Sequence, residues 1–472
     1  MRDELVLLHN GLTEAPRSAC GSRLLGRWPT TVTRTLMITV FLAGASVVAA
    51  APPAVAVDSG AEAGFPAEGE PALGADLTLA AAVETAVRDN AELKSMRAKW
   101  GAMLERPAQA VALPDPMFEY SGMDMASGGD WPNTNEKRFM LQQEFPWFGK
   151  RSLRKGIAQK DAEAMRRELD AMTRDVVMMV KETYSDLYAV QRVISITGDE
   201  QDVLRHMAQV AQTMYATGQR PQADVIKAQA EITMLKQKLL DVQAQEVTLK
   251  AKLNTLMNRR ANAPLGTAVA PPETKFPADP DTLFALAANN RPEIQAAQAQ
   301  VERYELEKRL MAKEYLPDYR LGVEYRDIGN SDDMVMFSVS FDLPIWLSKY
   351  RAGVREAELM RESSKAARET AERESANDVQ DASFKLLTAR QTLSLYKTEL
   401  IPRAEARFSA SEAGYRTGQA DFMDLLESER FRLDVRIMAA MAEGVVGMNS
   451  ARLERALGIA MPSGGNAGGE GQ

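Results

Sequence analysis

Tyr215-Ala216-Thr217-Gly218-Gln219 returns about 200 residues later as Tyr415-Arg416-Thr417-Gly418-Gln419. Upstream, Glu144-Phe145-Pro146-Trp147 is echoed by Asp342-Leu343-Pro344-Ile345-Trp346, and Leu113-Pro114-Asp115 by Leu316-Pro317-Asp318. Matches in one order at nearly one offset make the chain a duplication of a single unit. Thr-Gly-Gln is itself a turn signal, because glycine takes the left-handed cap that ends a helix. No proline interrupts the run from Gly149 to about Thr217, which as a helix would extend roughly 100 Å at 1.5 Å per residue. A shorter helix returns from about Pro221 to Met257, with Val225, Ala228, Ile232, Leu235 and Leu239 at the three- and four-residue spacing of packed antiparallel helices. The second copy repeats the pattern from Lys349, with Pro402 as the expected kink where the first copy has Gly198, and returns from about Phe422 to Leu457.

Each Leu-Pro-Asp is followed by two segments of about ten residues, a length suited to tilted transmembrane strands. They are expected at about 117–126 and 137–146 in the first copy, and about 319–328 and 333–342 in the second. Tyr319, Leu321, Val323 and Tyr325 alternate with Arg320, Gly322, Glu324 and Arg326; Val335, Phe337, Val339 and Phe341 alternate with Met336, Ser338 and Ser340. Phe139, Leu141 and Phe145 oppose Gln142 and Glu144, while Met117 to Ala126 alternates less cleanly. One apolar and one polar face suit the wall of a water-filled barrel; a half-buried hairpin of a soluble sheet shares the pattern. Single helices are expected ahead of the hairpins, about Leu79 to Met103 and Asp281 to Lys313. The division is therefore residues 79–262 for the first repeat, 263–280 for a Pro- and Ala-rich linker and 281–458 for the second repeat.

Arg27 and Arg34, the apolar run Leu36 to Ala51 and the exit Ala54-Val55-Ala56 read as a signal peptide over residues 1–56, with cleavage after Ala56, or alternatively Ala51, and Met37 as an alternative start. Cys20 precedes the apolar run, so no lipid anchor is expected. Segments 57–78 and 459–472 lack periodicity and are expected to be flexible. The composition is that of long helices: 45% hydrophobic residues but only 6% aromatic. The net charge of -8 argues against nucleic-acid binding, and two His with one Cys leave little material for metal or thiol catalysis. His206 stands alone on a helix, and no nucleophile–base pair or phosphate loop is present, so no enzyme and no cofactor are expected.

Four strands cannot close a barrel with a lumen, and lipid-buried edges would stay unpaired. Three chains would supply twelve strands, with the long helices projecting beyond the membrane. In its paired strand-ending motifs, Phe145-Pro146-Trp147-Phe148-Gly149 and Leu343-Pro344-Ile345-Trp346, and its paired Tyr-x-x-Gly turns ahead of Asp224 and Asp424, the chain resembles the TolC family of outer-membrane efflux ducts. The run Leu113 to Tyr120 and the following Pro-Trp-Phe-Gly-Lys-Arg are most similar to its heavy-metal branch, the CzcC and CusC type. The resemblance implies a mainly α fold in which a trimeric twelve-stranded outer-membrane barrel joins a periplasmic helical tunnel. It further implies a homotrimer in outer-membrane lipid, docked through a periplasmic adaptor to an inner-membrane pump of the RND type. The cargo would be cations such as copper, silver, zinc, cobalt or cadmium.

The same resemblance implies a gate at the inner mouth. Asp424 and Glu427, one turn apart on one helix face, would form two acidic rings in a trimer, raising their pKa values and favouring cations. Asp224 and Tyr415 match positions that pair between neighbouring helices in the closed family state. Ala420 stands where the family carries a basic latch, and Arg220 is the candidate substitute. Thr217, Gly218, Gln219, Thr417, Gly418 and Gln419 would be the tips that meet the adaptor. Solvated helix surface is the plain alternative for all of these.

Among 25 methionines, Met117, Met123, Met125, Met140, Met334 and Met336 cluster around the strands and Met178 and Met179 lie mid-helix; thioethers suit soft cations but equally fill helix packing. No metal site is assigned. The competing functions are a duct for drugs or other small solutes, a periplasmic adaptor, and a coiled-coil protein without a pore.

Overall fold

The computed structural model describes residues 76–123, 136–328 and 332–459. The expected signal peptide (1–56), most of segment 57–78 and all but the first residue of the tail 459–472 lie outside them. The first repeat contains β1 (Asp76–Leu77), α1 (Leu79–Asp89), α2 (Ala91–Val111), β2 (Met117–Met123), β3 (Glu136–Phe145), α3 (Lys150–Ala216) and α4 (Gln222–Leu256). The second contains β4 (Thr267–Ala268), α5 (Pro280–Asn290), α6 (Pro292–Lys313), β5 (Tyr319–Ile328), β6 (Met334–Phe341), α7 (Leu347–Leu395), α8 (Ile401–Arg416) and α9 (Phe422–Leu457). A π-helical turn, Tyr396–Leu400, joins α7 to α8 immediately before Pro402. The missing proline amide is accommodated by this wider turn, so the second copy breaks its long helix where α3 runs through Gly198 unbroken.

Three expectations need correction. The helix expected over Leu79 to Met103 is two helices, because the Asn90 side chain accepts hydrogen bonds from Glu92 N (2.9 Å) and Leu93 N (3.1 Å) and starts α2 afresh. The helix expected over Asp281 to Lys313 likewise divides at Arg291, with Pro292 opening α6. Asp76 and Leu77, inside the segment expected to be flexible, pair in parallel with Thr267 and Ala268 of the linker. Leu77 is fully buried there, and Tyr184 Oη donates to the Leu77 and Val269 carbonyls, 2.7 Å each.

The large sheet is antiparallel in the order β2-β3-β5-β6. Its apolar face carries a ladder of rings, with Phe139 beside Tyr120 and Tyr325, and Phe145 stacked on Tyr319 at 5.5 Å. The other face is ionic: Arg320 reaches Glu144 and Asp342, and Arg326 reaches Glu136 and Glu324. Beside the sheet the helices run in the order α2-α3-α6-α7; toward the far tips the order is α4-α3-α9-α8. The central pair, α3 and α9, packs backbone to backbone. A Cβ on Gly444 would lie 2.8 Å from Ala189 Cβ, and one on Gly447 2.4 Å from Ser185 Oγ. Among the described residues no helix is long and apolar enough to cross a membrane.

The junction of sheet and helices turns on one buried cation. Lys150 Nζ, the first residue of α3, meets Asp318 Oδ1 at 2.9 Å, Glu314 Oε2 at 3.2 Å and the Leu316 carbonyl at 3.0 Å. Asp318 Oδ1 also accepts from Trp147 N at 2.6 Å. The second Leu-Pro-Asp thus pins the end of β3 and the start of α3 at once. Removing the cation leaves Asp318 with only the Trp147 amide and Glu314 with only Arg154, 3.7 Å away, so Lys150→Met is expected to lower unfolding stability by about 2 kcal/mol, read by chemical denaturation in detergent.

Candidate functional site at the helix tips

Both long helices end at a glycine in the left-handed region, Gly218 at φ 73° and Gly418 at φ 79°. The amides of Gln219 and Gln419 reach back to the carbonyls of Met214 (2.9 Å) and Gly414 (2.8 Å), closing two like turns. Thr217 and Thr417 hydroxyls donate to Thr213 and Ala413 carbonyls, 3.1 Å each. The six tip residues therefore form two exposed, internally bonded knobs.

The structure brings Asp224, Tyr415 and Arg220 together between the knobs. Asp224 is buried on the first turn of α4, 3.8 Å from Lys227 Nζ. Tyr415 is buried against Phe422, with ring centroids 5.4 Å apart, and its hydroxyl has no hydrogen-bond partner among the described residues. Burial first, then the Asp224 carboxylate, raise its pKa against the opposing pull of Arg220. Arg220 lies over the Tyr415 ring at 4.8 Å and donates to the Ala420 carbonyl at 2.7 Å. A cation from the first tip thus occupies the second tip beside Ala420.

Asp424 and Glu427 stand apart from this cluster, exposed on α9. Asp424 completes a capping box: its amide donates to Asp421 Oδ1 (2.9 Å) and its carboxylate accepts the Asp421 amide (3.4 Å). Glu427 lies 3.7 Å from Arg407 of α8. These are local structural duties that an acidic ring would have to share.

A second pair of carboxylates was not singled out in the sequence. Glu200 of α3 and Glu429 of α9 are 0% and 1% exposed, two turns of α9 beyond the cap. Glu200 is held by Arg432, whose guanidinium lies 4.0 Å over Phe408 of α8, and by Arg436 at 3.5 Å. Glu231 of α4 is paired with Arg430. Glu429 Oε1 lacks a hydrogen-bond partner among the described residues and Glu200 Oε2 has only the longer Arg436 ion pair, so a proton on Glu429 would relieve the contact between the two side chains. Burial, then Glu200, push the Glu429 carboxyl from its ordinary 4.5 to about 9 against Arg432. The signal was present: Glu200 falls in the stripe Val193, Ile196, Leu204, Met207, and Glu429 in the stripe Phe422, Leu425, Leu426, Leu433.

The methionines separate by role. Met140 and Met336 share one row of the sheet with Glu119 and Glu324, whereas Met179 packs against a buried helical cluster. Met125 lies outside the described residues. Among the described residues no group of three or more His, Cys, Asp or Glu side chains could hold a metal.

Two outcomes follow. Arg220→Ala should raise hydrogen exchange at the amides of both knobs by about tenfold, the loss of one charge-assisted bond of roughly 1.5 kcal/mol. Because Glu429 binds its proton more tightly when folded, its contribution is complete below about pH 4.5 and is lost as pH rises through about 9. Melting temperature should therefore fall between those pH values, and Glu429→Gln should flatten that fall and melt higher at pH 8.

A family model, outer membrane efflux protein, matches residues 82–259 and 283–459. The cobalt-zinc-cadmium resistance protein CzcC of Cupriavidus metallidurans is 22% identical over 389 residues, 81% of this chain and 90% of that protein. Among solved structures, the outer-membrane channel OprN superposes with TM-score 0.69 at 19% identity, over 80% of this chain and 89% of OprN. CusC gives 0.69 at 16% identity over 80% and 92%, and the open state of the Neisseria gonorrhoeae MtrE channel 0.68 at 18% over 80% and 88%. The chain belongs to the outer membrane efflux protein family, whose members are transport channels of the outer membrane with a periplasmic helical tunnel, not enzymes.

Proposed function

We propose that three copies of this chain close head to tail into a twelve-stranded barrel and tunnel, the exit duct of a tripartite system that exports heavy-metal cations. One observation carries the closure. At each level the free edges are one element of each repeat: β2 and β6 in the sheet, α2 and α7 beside it, α4 and α8 at the tips. A head-to-tail join at any level therefore makes the same join at the others. The free edges are apolar where a neighbour would lie, with Ile226, Leu240 and Val247 exposed on α4 and Leu359, Phe384 and Leu387 on α7.

The cation cargo is supported by the similarity to CzcC, by the exposed Asp424 and Glu427 at the tips, and by the row of Glu119, Met140, Glu324 and Met336 on the polar face of the sheet. An adaptor would engage the knobs at Thr217–Gln219 and Thr417–Gln419, prise apart the Arg220 bridge, and link the duct to an RND-type pump that supplies the energy. Cations would then pass the Asp424 and Glu427 rings.

Asn and Gln keep the cap and the size of these side chains, so Asp424→Asn with Glu427→Gln isolates charge. In planar bilayers the double variant should lose cation selectivity severalfold; unchanged selectivity would remove the gate. Deleting the gene should sensitise cells to at least one of copper, silver, zinc, cobalt and cadmium. Equal survival on all five, with sensitivity to drugs, would favour the general-solute reading.

A further inference from the structure

The duplication fixes how one copy meets the next in the sheet. Laying Pro114 on Pro317 and Pro146 on Pro344 superposes the two hairpins in sequence. Under it the observed pair Met117 with Gln142 becomes Arg320 with Ser340, which is also observed, and the rest of the β2–β3 register falls on the β5–β6 register in the same way. The two hairpins are thus equivalent in pairing.

The joint between them, β3 with β5, sets the residue before Pro146, Phe145, opposite Tyr319, two residues past Pro317. Transposed, the residue before Pro344 lies opposite the residue two past Pro114 of the next copy. We propose that β6 of one copy pairs antiparallel with β2 of the next in this register, which rests on the head-to-tail ring. Phe341 then opposes Phe118, Ser340 opposes Glu119, Val339 opposes Tyr120, Ser338 opposes Ser121 and Phe337 opposes Gly122.

Two properties of the register come from the side chains and not from the superposition. It matches faces: Phe341, Val339 and Phe337 lie on the sheet face of the ring ladder, as Phe118 and Tyr120 do, while Ser338, Ser340, Ser121 and Glu119 share the ionic face. A shift by one residue would bring the ring-ladder face of β6 onto the ionic face of β2, setting Val339 against Glu119 or Ser121. It also gives the most exposed ring of the sheet, Phe337 at 77%, the surface above a glycine to cover. Phe118, 66% exposed, gains a ring partner in Phe341.

The test uses disulfides in a Cys20→Ser background, which contains no other cysteine. Directly opposed residues lie about 4.5–5.5 Å apart, within disulfide reach, whereas diagonal ones lie about 7–8 Å apart. Within one chain, positions 121 and 338 are separated by three strand spacings, about 14 Å, so any bond joins two copies. Ser121→Cys with Ser338→Cys should give covalently linked chains on non-reducing gels after mild oxidation. Ser121→Cys with Ser340→Cys should give none. Linkage in the second pair but not the first overturns the register while leaving the ring. Channels that conduct yet link in neither pair also overturn the register alone. Protein that folds, shown by unchanged circular dichroism, but neither conducts nor links overturns the ring with it.

Discussion

In the hydrocarbon of a bilayer an unpaired backbone N–H or C=O finds no water, and each costs several kcal/mol. The sheet of this chain has four strands and two bare edges, β2 and β6, and its apolar face is a continuous ladder of rings and aliphatic side chains. A barrel wall of four strands is too small to enclose water, and in the proposed ring other copies answer these edges. The helices inherit the solution. Because α2 and α4 lie on the side of the β2 edge, and α7 and α8 on that of the β6 edge, a seam between copies begun in the sheet would continue along the helices.

The junction at Lys150 makes this continuity mechanical. One buried ammonium holds the start of α3 to Asp318 and Glu314, so the angle at which the tunnel leaves the sheet is set by charge and not by a flexible loop. Farther down, Gly444 and Gly447 let α9 lie close against α3, and the Arg220 bridge ties one tip to the other. The Glu200–Glu429 pair sits between these two regions in the same α3–α9 contact. Buried like charges at that place cost stability as pH rises, a strain of the kind associated with elements that move.

Much of this was legible because duplicated elements repeat their constraints. The Thr-Gly-Gln turns stood out since only glycine takes the left-handed cap without penalty, and the strands β5 and β6 since each alternation has two chemically distinct faces. The breaks at Asn90 and Arg291 were missed because a capping Asn, or a proline at the first position of a new helix, leaves the apolar period intact on both sides. The pairing of Asp76–Leu77 with Thr267–Ala268 was missed because two residues have no period. At the site, the family resemblance singled out Asp224 and Tyr415 and offered Arg220 for the basic residue missing at Ala420; in the structure Arg220 lies over the Tyr415 ring and donates to the Ala420 carbonyl. The apolar stripes marked Glu200 and Glu429 as buried and the Asp421-x-x-Asp424 spacing is that of a cap, but that Glu200 and Glu429 meet, or that Glu427 has Arg407 for company, was not legible, since contacts between distant helices leave no local pattern.

The divergence of the copies is as informative as their likeness. Asp224 is buried beside Lys227, while the matching Asp424 and Glu427 are both exposed and both acidic. Whether the free edges of neighbouring copies meet is settled most directly by counting subunits. Native mass spectrometry of the protein released from detergent micelles should give a single assembly of three copies; a monomer or a dimer, from protein that still inserts into bilayers, would contradict the account.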